Sequence, residues 1–308
     1  MILGVSRRTD IPAFHSEWFM NRLRAGYVMV RNPCCRHVVY RVELSPENVD
    51  CLFFITKDPE PMLKYLDEID RMGYEYIFQV TMTPYGREIE PGVRNKDGIV
   101  DSFIRLSERI GKERSIWRYD PILFNDSVDV DYHKRGFSGL CDRLEDHTER
   151  CIFSFLDLHP KLGHHVRDGM LREVTDPEIE SIGKVLAPIA EEHSIEMTSC
   201  CTRHDLSGYG IRKRGCLDGE LMRRLEIPYE KCDAPLRDGC LCVRNLDIGT
   251  YDTCGHNCVY CYANRASDTS RSRRRYDPNS EMLAGHVERD DEIVRRNASA
   301  VTRLTDFL

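Results

Sequence analysis

Residues 247–264 read DIGTYDTCGHNCVYCYAN, and this stretch carries the most specific pattern of the chain, Cys254-x3-Cys258-x2-Cys261. Three thiolates on one tight loop can bind three irons of a cubane cluster and leave its fourth iron without a protein ligand. Gly255 permits the backbone excursion that such a loop needs. An open metal position is typical of a reactive centre, whereas a structural centre is closed. The spacing therefore predicts a 4Fe-4S cluster with one open iron.

Two other metal sites are compatible with this spacing. His256 could join the three cysteines in a structural zinc site, although it lies inside the loop, where its side chain can point away. A closed cluster of an electron carrier would need a fourth cysteine, which Cys240 or Cys242 could supply. Either alternative would fill the coordination sphere and leave no position for chemistry at the metal.

The composition indicates a globular protein rich in cysteine. The chain has 308 residues with 41% hydrophobic and 31% charged residues, and nine of its 14 cysteines follow residue 199. Because there is no signal-peptide pattern and no run of about 18 apolar residues, we expect a cytoplasmic protein without membrane segments. In that reducing compartment, cysteines favour metal binding or catalysis over disulfides.

The charge distribution argues against a general nucleic-acid coat protein, because the formal net charge is −7. One basic run is concentrated, and it consists of Arg271, Arg273, Arg274 and Arg275. A solvated surface stretch is its ordinary explanation, and phosphate binding is the alternative. Nucleic acid therefore enters only as an alternative partner.

Short apolar runs alternate with helical patterns through most of the chain. The predicted strands are Ile2–Ser6, Cys51–Thr56, Tyr76–Met82, Ser115–Tyr119, Cys151–Leu156 and Ile195–Ser199. The predicted helices are Ser16–Ala25, Pro59–Met72, Lys96–Ile110, Tyr132–Leu144 and Pro177–His193, with Asp58 and Asp176 as N-caps. Apolar strands that alternate with helices predict an α/β fold with a parallel sheet, either doubly wound or closed as a (β/α) barrel.

Polar side chains follow five of these strands in succession. They are Arg7 to Asp10, Thr56-Lys57, Thr81 and Thr83, Arg118 and Asp120, and Asp157. Chemistry in parallel α/β folds lies at the carboxyl ends of the strands. We therefore expect these residues to line the active centre, although Arg118 and Asp120 could equally form an ordinary ion pair, and Lys57 could be solvated.

The chain divides into four predicted segments. Residues 1–199 form the barrel body, 200–246 a Cys-rich segment, 247–265 a strand with the cluster loop, and 266–308 a polar tail. Asp247 to Tyr251 could form one more strand, and a helix could begin near Cys258.

A second group of cysteines, Cys200, Cys216, Cys240 and Cys242, could meet near the barrel mouth and bind an auxiliary iron–sulfur cluster. Zinc and buried free thiols are the alternatives, and Cys201 and Cys232 compete for the ligand roles. Cys34-Cys35 is isolated in a predicted loop. His164-His165 is best explained as a solvated pair, with general acid–base catalysis as the alternative.

The pattern Cys-x3-Cys-x-aromatic-Cys resembles the signature of the radical S-adenosylmethionine (SAM) superfamily. In that family the loop follows the first barrel strand, whereas here it lies near the end of the chain. Starting the chain at residue 247 restores the family order and makes Ile2–Ser6 the second strand. The resemblance thus implies a circularly permuted, partial or near-complete (β/α) barrel.

With that rotation, the chain resembles the spore-photoproduct-lyase branch of the superfamily. Phe54 to Lys57 is similar to its third-strand end, Glu90 to Gly92 to its Glu-Pro-Gly element, and Thr9-Asp10 to its Ser-Asp pair. Arg7 departs from the branch, which has a hydrogen-transferring cysteine at that position, so thymine-lesion repair is not implied. SRRTDIPAF and DIGTYDTCGHNCVYCYAN also resemble the family named domain of unknown function 1848.

The resemblance implies a radical SAM enzyme that reductively cleaves SAM to a 5′-deoxyadenosyl radical. Cys254, Cys258 and Cys261 would bind the cluster, Thr9 and Lys57 the amino-acid end of SAM, Thr81 its ribose and Tyr260 its adenine. Asp10, Thr83, Arg118 and Asp120 complete the predicted cofactor-binding set. A ferredoxin or flavodoxin would donate the electron, and the substrate stays open. The alternatives are a non-enzymatic iron–sulfur or zinc protein and a nucleic-acid lesion repair lyase.

Overall fold

The fold is built on a large parallel β-sheet. The computed structural model describes residues 1–233, 239–264 and 276–296. In chain order, the strands are β1 (Ile2–Val5), β2 (Tyr27–Arg31), β3 (Val38–Glu43), β4 (Cys51–Thr56), β5 (Tyr76–Thr81), β6 (Ser115–Ile122), β7 (Arg150–Phe155), β8 (Glu196–Ser199), β9 (Arg212–Lys213), β10 (Leu246–Asp247) and β11 (Glu292–Arg296). Eight of them form one sheet in the order β10-β1-β4-β5-β6-β7-β8-β9, with every neighbouring pair parallel. This confirms the predicted α/β class.

Helices follow most strands of the large sheet. They are α1 (Ile11–Phe14), α2 (Ser16–Ala25), α3 (Glu60–Leu63), α4 (Leu66–Arg71), α5 (Lys96–Ile110), α6 (Val130–Leu144), α7 (Gly163–Arg167), α8 (Asp176–Glu192) and α9 (Gly219–Arg224). Side chains cap the long ones: Asn95 begins α5, Asp129 begins α6, and Thr175 forms a capping box with Glu178 at α8. These caps satisfy amide groups that a helix start leaves without partners.

Both faces of the large sheet are covered, which explains why its strands are apolar nearly throughout. In β4, Phe54 packs among the residues under the helices, whereas its neighbour Phe53 belongs to a separate apolar cluster on the other face. That second cluster contains Ile77 and Ile116 from the sheet together with residues between 216 and 243. We call residues 200–246 the plug, because part of this segment fills the inner face. The arrangement is consistent with a partial barrel.

The last strand of the large sheet in chain order lies next to the first. β10 pairs in parallel with β1, with Leu3 opposite Leu246 and Gly4 opposite Asp247. This pairing brings residues 247–264 to the carboxyl ends of β1 and β4. The predicted extra strand is therefore present, although it covers only two residues.

Several local predictions were wrong. The predicted helix Pro59–Met72 is two short helices, α3 and α4. The N-cap of α3 is Pro59 instead of the predicted Asp58, and the N-cap of α8 is Thr175 instead of the predicted Asp176. The predicted helix near Cys258 is absent, because the described residues after Cys258 form turns and bends. A three-stranded sheet, ordered β11-β3-β2, is also present and was not predicted.

Among the described helices, none is long and apolar enough to span a bilayer. The arginine run at residues 271–275 lies outside the described residues. Of the predicted polar tail, residues 266–308, the structure describes residues 276–296. Within that part, Ser280 and Asn279 accept hydrogen bonds from Trp18 and Arg22 of α2, so this segment packs on the barrel body.

Candidate metal centre

Residues 252–264, which we call the cysteine loop, fold into a closed turn at the carboxyl edge of the sheet. The Asp252 amide donates to the Ala263 carbonyl at 3.1 Å, and Asn264 Nδ2 donates to the Cys254 carbonyl at 3.0 Å. Asn257 has a φ of 52°, in the left-handed region that Asn tolerates better than most residues. These bonds join the two ends of the loop and hold its three cysteines on one compact segment.

The connection after β5 is hydrogen-bonded to the backbone of the cysteine loop. The Gly92 amide donates to the His256 carbonyl at 2.8 Å, and the Val259 amide donates to the Ile89 carbonyl at 3.0 Å. A β-carbon on Gly92 would lie 2.7 Å from the His256 carbonyl oxygen and closer still to that of Gly255. Position 92 therefore requires glycine for this close backbone approach.

Asp10 connects the ends of β1 and β4 to the cysteine loop. Its buried carboxylate accepts hydrogen bonds from Thr56 Oγ1 at 2.7 Å, the Lys57 amide at 2.7 Å and His256 Nε2 at 2.8 Å. It also caps α1 through the Ala13 amide. With its acceptor positions filled in this way, Asp10 positions the loop.

His256 is turned away from a metal-ligand role. Its Nε2 is bonded to Asp10, and its Nδ1 lies 3.4 Å from the Gly92 carbonyl oxygen. Since both ring nitrogens are engaged and the side chain is buried, His256 does not complete a zinc site with the three cysteines. That alternative is disfavoured by the geometry.

A buried ion-pair cluster lies beside the cysteine loop. The Glu90 side chain is fully buried and contacts Lys57 Nζ at 2.8 Å, Thr83 Oγ1 at 3.0 Å, Lys96 Nζ and the Tyr260 hydroxyl. Burial alone would raise the pKa of Glu90, but the two ammonium groups outweigh it and lower this pKa to about 2. One carboxylate is thus shared by two lysines, which leaves one positive charge in excess.

Thr9 offers a polar atom without a partner at this edge. Its side chain is buried, and Thr9 Oγ1 has no hydrogen-bond partner in the described part of the chain. Buried hydroxyl groups are normally hydrogen-bonded, so such an atom is typical of a ligand site. Thr81, the last residue of β5, lies opposite Arg118 in the sheet register.

Arg118 and Asp120 form the ion pair that the sequence reading gave as an alternative. Arg118 Nη2 lies 2.9 Å from Asp120 Oδ2, and Ser154 donates to the other carboxylate oxygen. Arg118 also reaches Gln79 Oε1 at 3.5 Å, and Gln79 donates to the Cys216 carbonyl. These residues therefore face the plug, and their predicted role in cofactor binding stays a prediction.

The Cys254 and Cys258 thiols are mostly buried and would be protonated on their own. Burial raises the pKa of Cys258 to about 12, although the Lys57 ammonium opposes this rise. Burial also raises the pKa of Cys254, and the nearby Cys258 and Cys261 thiols raise it further. Cys254 thus interacts with the other two thiols, and the binding of Cys254 and Cys258 as thiolates would require a metal charge to displace their protons.

Three of the four cysteines in the second predicted group lie close together where the plug covers the inner face of the sheet. Cys200, Cys216 and Cys242 are buried, and their sulfur atoms all lie within 4.8 Å of one another. Cys216 Sγ is 3.1 Å from Cys242 Sγ. Cys240 lies outside this triangle, but its thiol interacts with those of Cys201 and Cys242, and the Cys201 thiol raises its pKa. This group could hold a metal ion or cluster, as predicted.

Sequence reasoning missed some residues of the centre. Lys96 begins α5 and had no signal beyond its charge, because only the fold brings it to Glu90. His256 was considered as a metal ligand, yet its contact with Asp10 spans 246 residues of chain. Glu90 and Gly92 were noted as a motif, and that motif was the signal for the loop support described above.

The rings of His164 and His165 in α7 lie close together, with centroids 3.8 Å apart and planes tilted by 40°. Cys34 and Cys35 are exposed between β2 and β3, and their amides donate to Asn32 Oδ1. Cys232 is also exposed. None of these five residues belongs to either cysteine group in the described structure.

Comparison with known proteins identifies the family of the chain. No curated protein matches it. A solved structure described as "a putative alpha-L-fucosidase" from Bacteroides thetaiotaomicron VPI-5482 is similar over 51% of this chain and 66% of that one, with 11% identity and a TM-score of 0.27. A family model, "Domain of unknown function (DUF1848)", matches residues 2–263. The chain therefore belongs to the DUF1848 family.

Proposed function

We propose that this protein is a radical SAM enzyme whose 4Fe-4S cluster is bound by Cys254, Cys258 and Cys261. The observation that carries this proposal is the position of the cysteine loop. It lies at the carboxyl ends of parallel strands, where it contacts the polar strand-end residues through Asp10 and Gly92. A structural metal loop would not need a buried excess of positive charge or an unpartnered hydroxyl group beside it.

The residues at this edge fit a cluster with bound SAM. Three sulfur donors on one short loop suit a cubane, and His256 does not supply a fourth ligand. When bound, the cluster would supply one electron for the reductive cleavage of the C5′–S bond of SAM, which yields methionine and a 5′-deoxyadenosyl radical able to abstract hydrogen from a substrate. The protein positions the reactants and excludes water and oxygen.

Lys57 and Lys96 would bind the carboxylate of SAM. Both ammonium groups share the single carboxylate of Glu90, and Lys57 also lies 5.6 Å from the centre of the Tyr260 ring. A second carboxylate would balance the remaining positive charge in this desolvated site. Thr9 Oγ1 is available to the same end of the ligand, and Tyr260 would border the adenine.

The strand order supports the permuted arrangement. If β10 is counted as the first barrel strand, then β1, β4, β5, β6, β7 and β8 follow in both space and rotated sequence. The cysteine loop then follows the first strand, as in the family that the motif resembles. Thus the permutation would preserve the position of the metal centre while moving the chain ends.

The decisive experiment measures SAM cleavage by anaerobically reconstituted protein. We expect the dithionite-reduced protein to release 5′-deoxyadenosine, and Cys258→Ala to lose both this product and the reduced-cluster signal in paramagnetic resonance. Cys34→Ala, which removes an exposed cysteine far from the loop in sequence, is the matched control and should keep both. Iron and sulfide without any 5′-deoxyadenosine would instead indicate an electron carrier or regulator.

A further inference from the structure

The cysteines of the plug differ from the cysteine loop in how closely their sulfur atoms approach. Cys200, Cys216 and Cys242 are the only described group of three or more candidate ligand residues with all ligand atoms within 4.8 Å of one another. Their side chains are nearly inaccessible, with 5%, 5% and 8% of the residue surface exposed. The thiols of Cys254, Cys258 and Cys261 interact but do not meet this distance criterion.

The separation of sulfur ligands depends on the kind of centre that they hold. In tetrahedral zinc sites the metal–sulfur bonds of about 2.3 Å place the sulfurs about 3.8 Å apart. In a cubane each thiolate binds a different iron, so the sulfurs stand further apart by the width of the cluster. The plug cysteines therefore have the spacing of a mononuclear site, and the cysteine loop has the wider spacing.

A fourth sulfur is available next to this triangle. Cys240 is two residues from Cys242, and the two thiols interact. Cys201 Sγ lies 3.7 Å from Cys200 Sγ, with its backbone at a φ of 54°. Of these two, Cys240 is separated by one residue from the ligand Cys242, whereas Cys201 directly follows the ligand Cys200 in the chain.

We propose that Cys200, Cys216, Cys240 and Cys242 bind one zinc ion in a closed tetrathiolate site that fixes the plug inside the sheet. The site is independent of the cysteine loop and of the proposed SAM chemistry. In the described part of the plug, regular structure is limited to β9, α9, one short 3-10 turn and the first residue of β10, so a cross-link would hold it in place. A metal that joins three distant points of a segment with little secondary structure stabilises it directly.

The surroundings offset part of the charge of such a site. Four thiolates and one zinc ion carry two net negative charges. The Arg7 guanidinium donates to Asn245 Oδ1 at 2.8 Å and forms no ion pair with a described carboxylate. The Cys216 and Cys242 thiols raise the pKa of Arg7 despite its burial. Arg118 also lies near Cys216 and Cys200, but its charge is already paired with Asp120, which raises its pKa most.

The test separates the two centres by removing the cysteine loop ligands. The variant Cys254→Ala/Cys258→Ala/Cys261→Ala leaves all four proposed zinc ligands unaltered. Its plug should therefore fold as in the unaltered protein. We expect this protein, purified without added metal, to contain about one zinc ion per chain and no iron. Replacement of zinc by Co²⁺ should give the intense sulfur-to-metal absorption of tetrahedral cobalt thiolate.

The metal content of these variants tests the zinc site separately from the proposed radical SAM function. Iron and sulfide retained by the triple variant would show an auxiliary iron–sulfur cluster in the plug and overturn the zinc assignment. The absence of any metal from the triple variant would overturn it as well. In single variants, Cys240→Ser should lose the zinc and Cys201→Ser should keep it, whereas the reverse result would overturn Cys240 as the fourth ligand. SAM cleavage by the unaltered protein bears on none of these results.

Discussion

Gly92 makes the closest backbone contact between the barrel body and the cysteine loop. A methyl group at this position would overlap the carbonyl oxygens of Gly255 and His256, which are backbone atoms that cannot rotate away. We expect Gly92→Ala to lower the free energy of unfolding by about 1–3 kcal/mol, the usual cost of overpacking. Because the loop must move, iron incorporation should also fall. Chemical denaturation and iron analysis of the same samples measure both effects.

Gly139 provides the matched control for this prediction. It lies within α6, and a β-carbon there would have no neighbour within 4 Å. Gly139→Ala should leave iron incorporation unchanged and stabilise the protein by up to about 1 kcal/mol, because Ala is the better helix former. Equal behaviour of the two variants would show that Gly92 does not hold the loop in place.

The connection between β5 and α5 contains the buried carboxylate of Glu90, which makes the fold sensitive to acid. The pKa of Glu90 is lowered from 4.5 to about 2 in the folded protein, because Lys57 and Lys96 outweigh the effect of burial. The charged form therefore stabilises the fold above about pH 4.5, and this contribution disappears as the pH falls towards 2. A shift of this size corresponds to at most about 3 kcal/mol.

Glu90→Gln should therefore lower the free energy of unfolding at pH 7, and its difference from the unaltered protein should shrink between pH 4.5 and 2. Glu178 in the capping box of α8 is the control, since its pKa is also lowered to about 2, mainly by Arg172. That pair is partly exposed, so Glu178→Gln should have a smaller, salt-sensitive effect. A pH-independent difference for Glu90→Gln would contradict the proposed ion-pair cluster. Urea denaturation across this pH range measures both variants.

Elements of the large sheet were predictable from the sequence, because their pattern is local. The runs Cys51–Thr56 and Lys96–Ile110 have the predicted bounds. An apolar strand and an amphipathic helix can each be recognised from the residues of one short stretch of sequence. The strand Glu292–Arg296 was missed because its partner is Val38–Glu43, more than 250 residues earlier. Its charged sequence gives no strand signal on its own.

The same distinction between local and long-range signals applies to the candidate site. The spacing of Cys254, Cys258 and Cys261 is local, so it could be recognised without a structure. The contacts of Asp10 with His256 and of Glu90 with Lys96 depend on how strands are brought together. Likewise, sequence placed Cys200, Cys216 and Cys242 in one group only as a hypothesis, and the folded plug brings their sulfur atoms together.

At the scale of the whole molecule, the plug and the sheet are joined by a buried arginine. Arg150 of β7 donates to Asp218 Oδ2 at 2.8 Å and to the Gly215 carbonyl at 2.7 Å, on either side of Cys216. Asp218 also begins α9 by accepting from the Leu221 amide. Loss of the guanidinium would leave a buried carboxylate without one of its two cationic partners, because Arg214 also pairs with Asp218.

We expect Arg150→Ala to lower the free energy of unfolding by about 3 kcal/mol, near the lower end for breaking a buried ion pair, since Arg214 remains. The plug should detach more readily than the sheet unfolds, because Arg150 of the sheet bonds to both Asp218 and Gly215 of the plug. Limited proteolysis should then cut first within residues 203–233, where Arg and Lys are frequent. Arg105→Ala, which removes an exposed pair with Glu60, should cost about 0–1 kcal/mol and leave the cleavage pattern unchanged. A cleavage pattern common to both variants would mean that the buried ion pair is dispensable for the position of the plug.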